Sequence, residues 1–331
     1  MSRCRVFDVI RKTVVKIDGF RGVLSAANYS QVMDKFVEGE VAQRGRLPAA
    51  PAYAVQFFLI PLAVVAITVV GYAAFRSLLT DQRSAQEYLL EIQTGGSSHR
   101  WPAAYELSRM MADPEVARDP ALGPALIKAF EKSKGDDPRV RRYLALAIGR
   151  LTPPLPPQAV ASLAAALQDA ESETVISAIW ALGSLGDPSV APAVAQMYQS
   201  SDAGVRKMTV YALGAIPGDG QLRVLSTALN DSVPDVQWNA AVALARHLDR
   251  EGVPVLQRML DREYVERTVK RTANVEDDVD PIGEVMITAL QAIAALHETS
   301  LRNQVTDLSQ GEPDLRVRQV AMETLKALGP A

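Results

Sequence analysis

The residues best suited to catalysis or metal binding are few in this 331-residue chain. Glu276, Asp277, Asp278 and Asp280 form an acidic run, but it lacks the glycine turn and the distal glutamate of a calcium loop. The chain has three histidines and one cysteine, and no Cys-His or Ser-His-Asp arrangement stands out. We therefore predict no catalytic residue, no metal site and no cofactor, and a protein that is not an enzyme.

Basic residues that recur at fixed positions are better candidates for a functional surface. The pattern Asp-x-x-Val-Arg occurs at 137–141, 202–206 and 314–318. Its arginine either pairs with an aspartate of a neighbouring unit, forming a structural ladder, or faces a ligand; the next residue along is freer to face one. The candidate partner-binding residues are Arg141, Arg142, Arg206, Lys207, Trp238 and Arg318. We expect this row, with Trp238 as an apolar anchor, to contact an acidic or mixed protein surface.

A recurring pattern of small and apolar residues must position these side chains. Clear copies end in Ala-Leu-Gly at Gly183 and Gly214, and related copies occur along most of the chain. The last residues of the copies are Ser108, Gly149, Gly183, Gly214, Ala245, Ala294 and Lys326. The steps between them are 41, 34, 31, 31, 49 and 32 residues. A near-constant step in the low thirties is the signature of stacked repeats.

Each repeat is predicted to contain two helices. An aspartate that precedes the second helix can cap its free backbone N–H groups. Val205, Met208, Ala212 and Leu213 then fall on one helical face. The predicted first helices are Gln82–Gln93, Ala121–Lys132, Gln158–Asp169, Ser189–Gln199, Gln221–Asn230, Gly252–Asp261 and Leu301–Ser309. No segment shows strand-like alternation, so we predict an all-α domain.

The motif Asp-x-x-Val-Arg followed by Ala-Leu-Gly, present at Asp202, Val205, Arg206 and 212–214, resembles the HEAT-repeat family in its short bacterial form. The resemblance covers roughly residues 82–329. It implies an α-solenoid of about seven HEAT-like helix pairs, a fold that commonly offers a long surface to protein partners. Bilin lyases and alkylbase glycosylases are built from similar repeats, so an enzyme and a nucleic-acid binder are the alternatives. The family's iron enzymes need several His-Glu pairs, and His297-Glu298 is the only one here.

The distribution of charge argues against nucleic acid as a partner. The net charge is −3, but residues 1–46 carry +4 and residues 76–331 carry −7. General nucleic-acid binding needs a basic footprint, which the repeats lack. We therefore expect protein partners and no nucleic acid.

A long apolar segment precedes the repeats. Residues 47–75 contain no charged side chain, and Tyr53–Phe75 would extend about 34 Å as a helix, against a hydrocarbon core of about 30 Å. We predict a basic tail at 1–46, a single transmembrane helix within 47–76 and a repeat domain at 82–331. The alternative is a buried helix of a soluble core.

Cationic residues suggest the orientation of this predicted span. Basic residues are more numerous before it than after it, and positive charge tends to remain cytoplasmic. We expect a single-pass protein of the bacterial inner (cytoplasmic) membrane, with its N-terminus in the cytoplasm and its repeats in the periplasm. Together these features predict a membrane-anchored scaffold or adaptor that assembles or regulates a membrane protein complex.

The 49-residue step departs from the repeat period and places an inserted loop near residues 262–280. Insertions in solenoids map to loops on one face, which is often the binding face. A tolerated loop without function is the alternative.

Overall fold

The computed structural model describes residues 60–79, 83–218, 220–269 and 280–329, with the backbone alone described at 73–79. Across these residues the regular secondary structure is helical, with 17 α-helices and no strand. The predicted all-α fold is therefore confirmed for the described part of the chain. The chain divides into two compact units, Met1–Gln82 and Arg83–Ala331.

The described part of the first unit is helix α1, Ile60–Leu79. Its side chains from Ile60 to Tyr72 are all exposed, although most of them are apolar. Among the residues that the structure describes, no helix is both long enough and apolar enough to cross a membrane. The predicted span Tyr53–Phe75 begins outside the described residues, at 53–59, and the predicted basic tail at 1–46 lies wholly outside them.

In its described residues, the second unit is a series of seven helix pairs. The first helices of the pairs are α2 (Ala85–Thr94), α5 (Leu122–Lys132), α7 (Ala159–Ala165), α9 (Ala191–Gln196), α11 (Leu222–Ala228), α13 (Val253–Met259) and α16 (Arg302–Gly311). The second helices are α3 (Ser97–Met110), α6 (Pro138–Ile148), α8 (Ser172–Leu185), α10 (Ala203–Ala215), α12 (Pro234–Arg246), α15 (Pro281–Leu296) and α17 (Leu315–Ala327). Two further helices are α4 (Pro114–Ala117), which lies between the first and second pairs, and α14 (Arg262–Val269), which lies between the two helices of the sixth pair.

Aspartate residues begin second helices as the sequence predicted. Asp137, Asp202 and Asp314 are the N-cap residues of α6, α10 and α17, and each side chain accepts a hydrogen bond from a backbone N–H of the first turn. For Asp202 the donors are Gly204 N at 2.7 Å and Val205 N at 3.2 Å. Each cap satisfies a backbone donor that the helix cannot satisfy internally.

Glycines bring successive second helices close together. A Cβ at Gly149 would lie 2.6 Å from Ala181 Cα, and one at Gly214 would lie 2.6 Å from Ala243 Cβ. Gly183 faces Ala212 in the same way. Since a side chain at these positions would collide with the next helix, these glycines allow successive second helices to approach closely.

The second helices form the inner layer of the array. They contact one another in an unbroken series from α3 to α17, whereas the first helices contact one another less. Because the second helices are packed more closely than the first helices, we infer that they line the concave side of the stack. Their buried apolar side chains and those of the first helices share one continuous core.

The segment predicted as an inserted loop at 262–280 begins with a helix. Arg262–Val269 form α14, and Val265 is fully buried. Its apolar and charged residues follow helical spacing, so the first part of the predicted loop is a helix. Residues 270–279 lie outside the described residues.

Candidate functional site

Two of the predicted candidates, Arg141 and Arg206, make structural contacts within the protein and do not form a free surface. Arg141 is 8% exposed, and its guanidinium donates to Asp169 Oδ2 at 2.5 Å and to Phe130 O at 2.7 Å. Arg206 donates to both carboxylate oxygens of Asp231, at 2.9 and 3.0 Å. Each arginine reaches from a second helix to the aspartate that ends the first-helix segment of the following pair. These contacts correspond to the ladder alternative of the sequence analysis.

The Arg206–Asp231 pair is the centre of a larger polar cluster. Tyr198 Oη donates to Asp231 Oδ2 at 3.0 Å, and Val233 N donates to Asp231 Oδ1 at 2.9 Å. The hydrogen bond from Arg206 holds the pKa of Asp231 below its ordinary value, so the carboxyl is ionised at neutral pH. Burial, followed by the bond to Asp231, raises the pKa of Tyr198 to about 12.

Arg318 occupies the corresponding position on α17 and is partly buried. Its Nε is buried, and it has no hydrogen-bond partner among the described residues. Whereas Arg141 and Arg206 find an aspartate in the following pair, α17 belongs to the last pair described. The structure therefore gives Arg318 no ladder contact.

Arg142 and Lys207 lie on the concave side, and each follows directly in the sequence after one of the ladder arginines, Arg141 and Arg206. Arg142 Nη1 is 3.4 Å from Glu173 Oε2 on α8, and Lys207 Nζ is 3.4 Å from Asp235 Oδ2 on α12. The Lys207 and Asp235 side chains are nearly half exposed, so this pair is loosely held. Both cations are placed where a partner could reach them.

Trp238 is buried, and it does not project as the free anchor that the sequence predicted. Only 6% of it is exposed, and its ring meets that of Tyr264 edge to face, with centroids 6.4 Å apart. Trp238 holds the same repeat position as Lys207, but Tyr264 belongs to the extra helix α14, which covers this position. The indole Nε1 is buried without a hydrogen-bond partner in the described structure.

A row of partly exposed aromatic side chains runs along the concave side instead. We call it the aromatic row, and its members are Trp101, Tyr105, Tyr143, Trp180 and Tyr211. Tyr105 and Tyr143 meet edge to face at 5.2 Å between centroids, which links α3 to α6. Tyr105 and Tyr211 are 39% and 37% exposed. These residues were not among the predicted candidates, although Trp180 and Tyr211 lie three residues before the glycines that mark the repeat.

An arginine lies over each ring of the aromatic row. The pairs, with the distance from guanidinium carbon to ring centroid, are Arg139–Trp101 at 4.6 Å, Arg109–Tyr105 at 5.7 Å, Arg142–Tyr143 at 4.7 Å, Arg150–Trp180 at 5.9 Å and Arg246–Tyr211 at 5.3 Å. Such cation–π contacts stabilise both partners and hold flat rings and planar cations in a fixed arrangement. The concave side therefore presents a preformed surface of alternating aromatic and guanidinium groups.

The electrostatic balance of this row is positive. Arg109, Arg139 and Arg142 each have a nearby carboxylate partner. Arg150 donates to the backbone oxygen of Ser108 at 2.7 Å and pairs with no carboxylate in the described structure, and Arg246 forms no ion pair there. The row is therefore complementary to acidic groups, although residues 76–331 carry a net negative charge in total.

A pocket opens where the aromatic row reaches the extra helix. Its volume is about 340 Å³, and it lies between α10, α12, α13 and α15. Its wall consists of Tyr211, Trp238, Asn239, Val242, Arg246, Met259, Glu284, Val285 and Thr288. At the repeat position of Gly214, α12 carries Ala245, so α12 and α15 meet without the glycine that brings the preceding second helices together.

The described residues contain no group of three or more histidine, cysteine, aspartate or glutamate side chains that could hold a metal ion. The predicted acidic run contributes only Asp280 to this part of the chain, since Glu276, Asp277 and Asp278 lie outside it. Asp280 is the N-cap of α15, where its side chain accepts from Ile282 N.

The chain is similar to one known family and to several solved structures. The family described as HEAT repeats matches residues 123–214 and 192–276. Among solved structures, the complex of CpcE and CpcF of phycocyanin lyase from Nostoc sp. PCC7120 is similar, with a TM-score of 0.50 and 19% identity over 76% of this chain and 96% of that one. An engineered protein gives 0.40 and 18% identity over 75% and 97% of the two chains. A designed armadillo repeat protein in complex with the peptide (KR)4 gives 0.39 and 15% identity over 74% and 100%.

A comparison with curated proteins finds no match. The HEAT-repeat model thus matches residues within 123–276, slightly less than half of the chain, and the described residues of the second unit form a stack of paired helices. At 19% identity, the similarity to the Nostoc complex concerns the fold alone.

Proposed function

We propose that this protein is an interaction scaffold or adaptor, and that the concave side of its repeats binds an extended segment of a partner protein. The single observation that carries the proposal is the aromatic row, with an arginine stacked on each ring. Tyrosine, tryptophan and arginine are the residue types that contribute most to binding energy at protein interfaces. HEAT repeats, which serve commonly as interaction folds, support the same conclusion.

The row favours a partner with acidic and apolar residues. Arg150 and Arg246 have no carboxylate partner in the described structure, so an acidic partner meets cations that are not already neutralised. Arg142 and Lys207 extend the positive surface, because their long pairs with Glu173 and Asp235 can exchange for contacts with a partner. The rings are already held in place, which lowers the entropy lost on binding.

The test is recovery of partner proteins by the full-length chain from cells that express it. The variant Tyr105→Ala/Arg142→Glu/Lys207→Glu removes one ring and reverses two charges on the concave side. We expect it to recover at least tenfold less partner than the unchanged protein. Arg223→Glu is the matched control, since Arg223 is an exposed arginine on α11, in the other helical layer. Equal recovery by the triple variant and the control would contradict the proposal.

A membrane tether near α1 is the second part of the proposal, and it would place the partner in a membrane complex. Its support is the exposure of apolar side chains from Ile60 to Tyr72, which continue the uncharged segment that begins at residue 47. A single-pass span in a bacterial inner membrane, with the repeats in the periplasm, is the arrangement that we propose.

Alkaline carbonate extraction of cell membranes tests the tether. The unchanged chain should stay in the pellet, and Val65→Lys/Val69→Lys should release it, because each lysine costs about 2.5–3.5 kcal/mol in a bilayer. Protease added to spheroplasts should degrade the repeats if they are periplasmic. Full extraction of the unchanged protein would exclude the tether and leave the scaffold proposal to its own test.

An enzyme of the lyase kind is the second candidate function. Its support is the fold shared with the complex of CpcE and CpcF of phycocyanin lyase. The full-length chain purified from its native cells distinguishes the two candidates. A bound chromophore with a visible absorption band favours the lyase, whereas recovery of a partner that depends on the aromatic row, without such a band, favours the scaffold.

A further inference from the structure

The pocket beside Trp238 has the size and composition of a site for one large side chain. Its volume of about 340 Å³ is near the lower end of the range found for ligand pockets. Val242, Met259 and Val285 give it an apolar wall, together with the rings of Tyr211 and Trp238. The pocket is open to the concave side, since Tyr211 and Arg246 on its wall are exposed there.

Two charged side chains line the pocket, and they differ in their partners. Glu284 Oε1 accepts a hydrogen bond from Arg316 Nη1 at 2.7 Å, so its charge is balanced within the protein. Arg246 lies over the ring of Tyr211 and forms no ion pair in the described structure. An anionic group that approaches this pocket therefore meets a cation, Arg246, that has no carboxylate partner in the described structure.

One polar group of the wall also lacks a partner. The Trp238 Nε1–H is buried, and no described residue accepts its hydrogen bond. Because this donor is buried, the wall offers a partner a large apolar area and one available cation, Arg246.

We propose that this pocket is the anchor site of the protein: it receives an aromatic or large aliphatic side chain of an extended partner segment, and Arg246 binds an aspartate or glutamate beside that side chain. This inference rests on the proposed scaffold function and names the chemistry of its partner. The segment then follows the aromatic row towards α3, where Arg150 provides a second contact for an acidic group.

Selection of random peptides on the immobilised full-length chain tests the pocket. The expected peptides carry tryptophan, phenylalanine or leucine beside aspartate or glutamate. On Arg246→Glu the same library should give lysine or arginine at that place, because the charge that faces the peptide is reversed. Arg223→Glu should select the same peptides as the unchanged protein. Peptides without an apolar–acidic pair, or no selected peptides at all, would overturn the inference.

Affinity measurements separate the anchor pocket from the wider surface. A selected peptide should bind at least tenfold more weakly to Arg246→Glu and to Val242→Trp, which fills the pocket, and melting curves check that both variants are folded. If partner recovery depends on Tyr105 and Arg142 but both pocket variants bind peptide normally, the scaffold proposal stands and the pocket inference fails. If neither the row nor the pocket affects any partner, both fail.

Discussion

Replacing Asp231 by alanine tests the polar ladder that fixes the spacing of the repeats. The Asp231 side chain is 5% exposed and that of Arg206 is 14% exposed. Besides Arg206, the Asp231 carboxylate accepts from Tyr198 Oη and from Val233 N. Its removal leaves a nearly buried guanidinium without its counter-charge, a change that costs about 3–5 kcal/mol.

A neighbouring ion pair provides the matched comparison. Lys207, the next residue after Arg206, lies 3.4 Å from Asp235, and both side chains are more than 40% exposed. Exposed pairs contribute about 0–1 kcal/mol, so Asp235→Ala should change stability little. For a domain of this size each kcal/mol corresponds to about 2–4 °C in melting temperature. We therefore expect thermal unfolding of Asp231→Ala, followed by circular dichroism, to occur about 6–20 °C lower, and that of Asp235→Ala within about 4 °C of the unchanged protein.

The same pair predicts a dependence on pH. Because Arg206 lowers the pKa of Asp231 in the folded state, the ionised carboxylate stabilises the protein above its unfolded pKa of about 3.9. This contribution is lost as the pH falls through the lower folded-state pKa. The difference in free energy of unfolding between the unchanged protein and Asp231→Ala should thus have its full size at neutral pH and should shrink below about pH 4. Equal losses in Asp231→Ala and Asp235→Ala, or a difference that does not depend on pH, would refute the role given to burial.

Two other predictions concern the helices themselves, and both are measured by urea unfolding of the full-length chain. Gly214→Val should destabilise by about 1–3 kcal/mol, because even a Cβ there would lie 2.6 Å from Ala243 Cβ; Gly311→Val, where nothing lies within 4 Å of an added Cβ, should be nearly neutral. Asp202→Ala should cost about 1 kcal/mol through loss of the α10 cap, and Asp202→Asn, which can still cap, should cost less; equal losses would show that charge rather than capping matters.

The sequence predicts the helix pairs well, because several independent signals agree on them. The aspartate caps, the apolar spacing and the small residues at helix ends all place the same boundaries, and α6, α10 and α17 begin where Asp137, Asp202 and Asp314 indicated. The phase of these helices also predicts that Arg142 and Lys207, each one residue after a ladder arginine, are freer to face a ligand. Local chemistry was sufficient for these features, since each depends on residues close together in the chain.

The predicted exposure of Trp238 is wrong because its surroundings come from another part of the sequence. Trp238 shares its repeat position with Lys207, so periodicity alone predicts similar exposure. Tyr264, on a helix that interrupts the repeat period, covers the indole instead. The aromatic row was missed for a related reason: an aromatic at a recurring helical position is equally compatible with the core and with the concave surface. Contacts between repeats decide the outcome, and they involve residues about thirty positions apart.

Adjacent residues on one helix connect the stability of the array to its surface. Successive side chains on a helix point in directions about 100° apart. Arg206 therefore reaches the buried Asp231, while Lys207 reaches the exposed Asp235. The buried pair holds α10 against the following helix pair, and the position of α10 influences where Arg246 on α12 meets Tyr211 on α10. Loosening the ladder should consequently displace the cation and the ring that form the mouth of the pocket. Asp231→Ala should then weaken binding of a pocket-selected peptide at a temperature where the protein is still folded, whereas Asp235→Ala should weaken it less; unchanged affinity in Asp231→Ala would show that the ladder and the binding surface are independent.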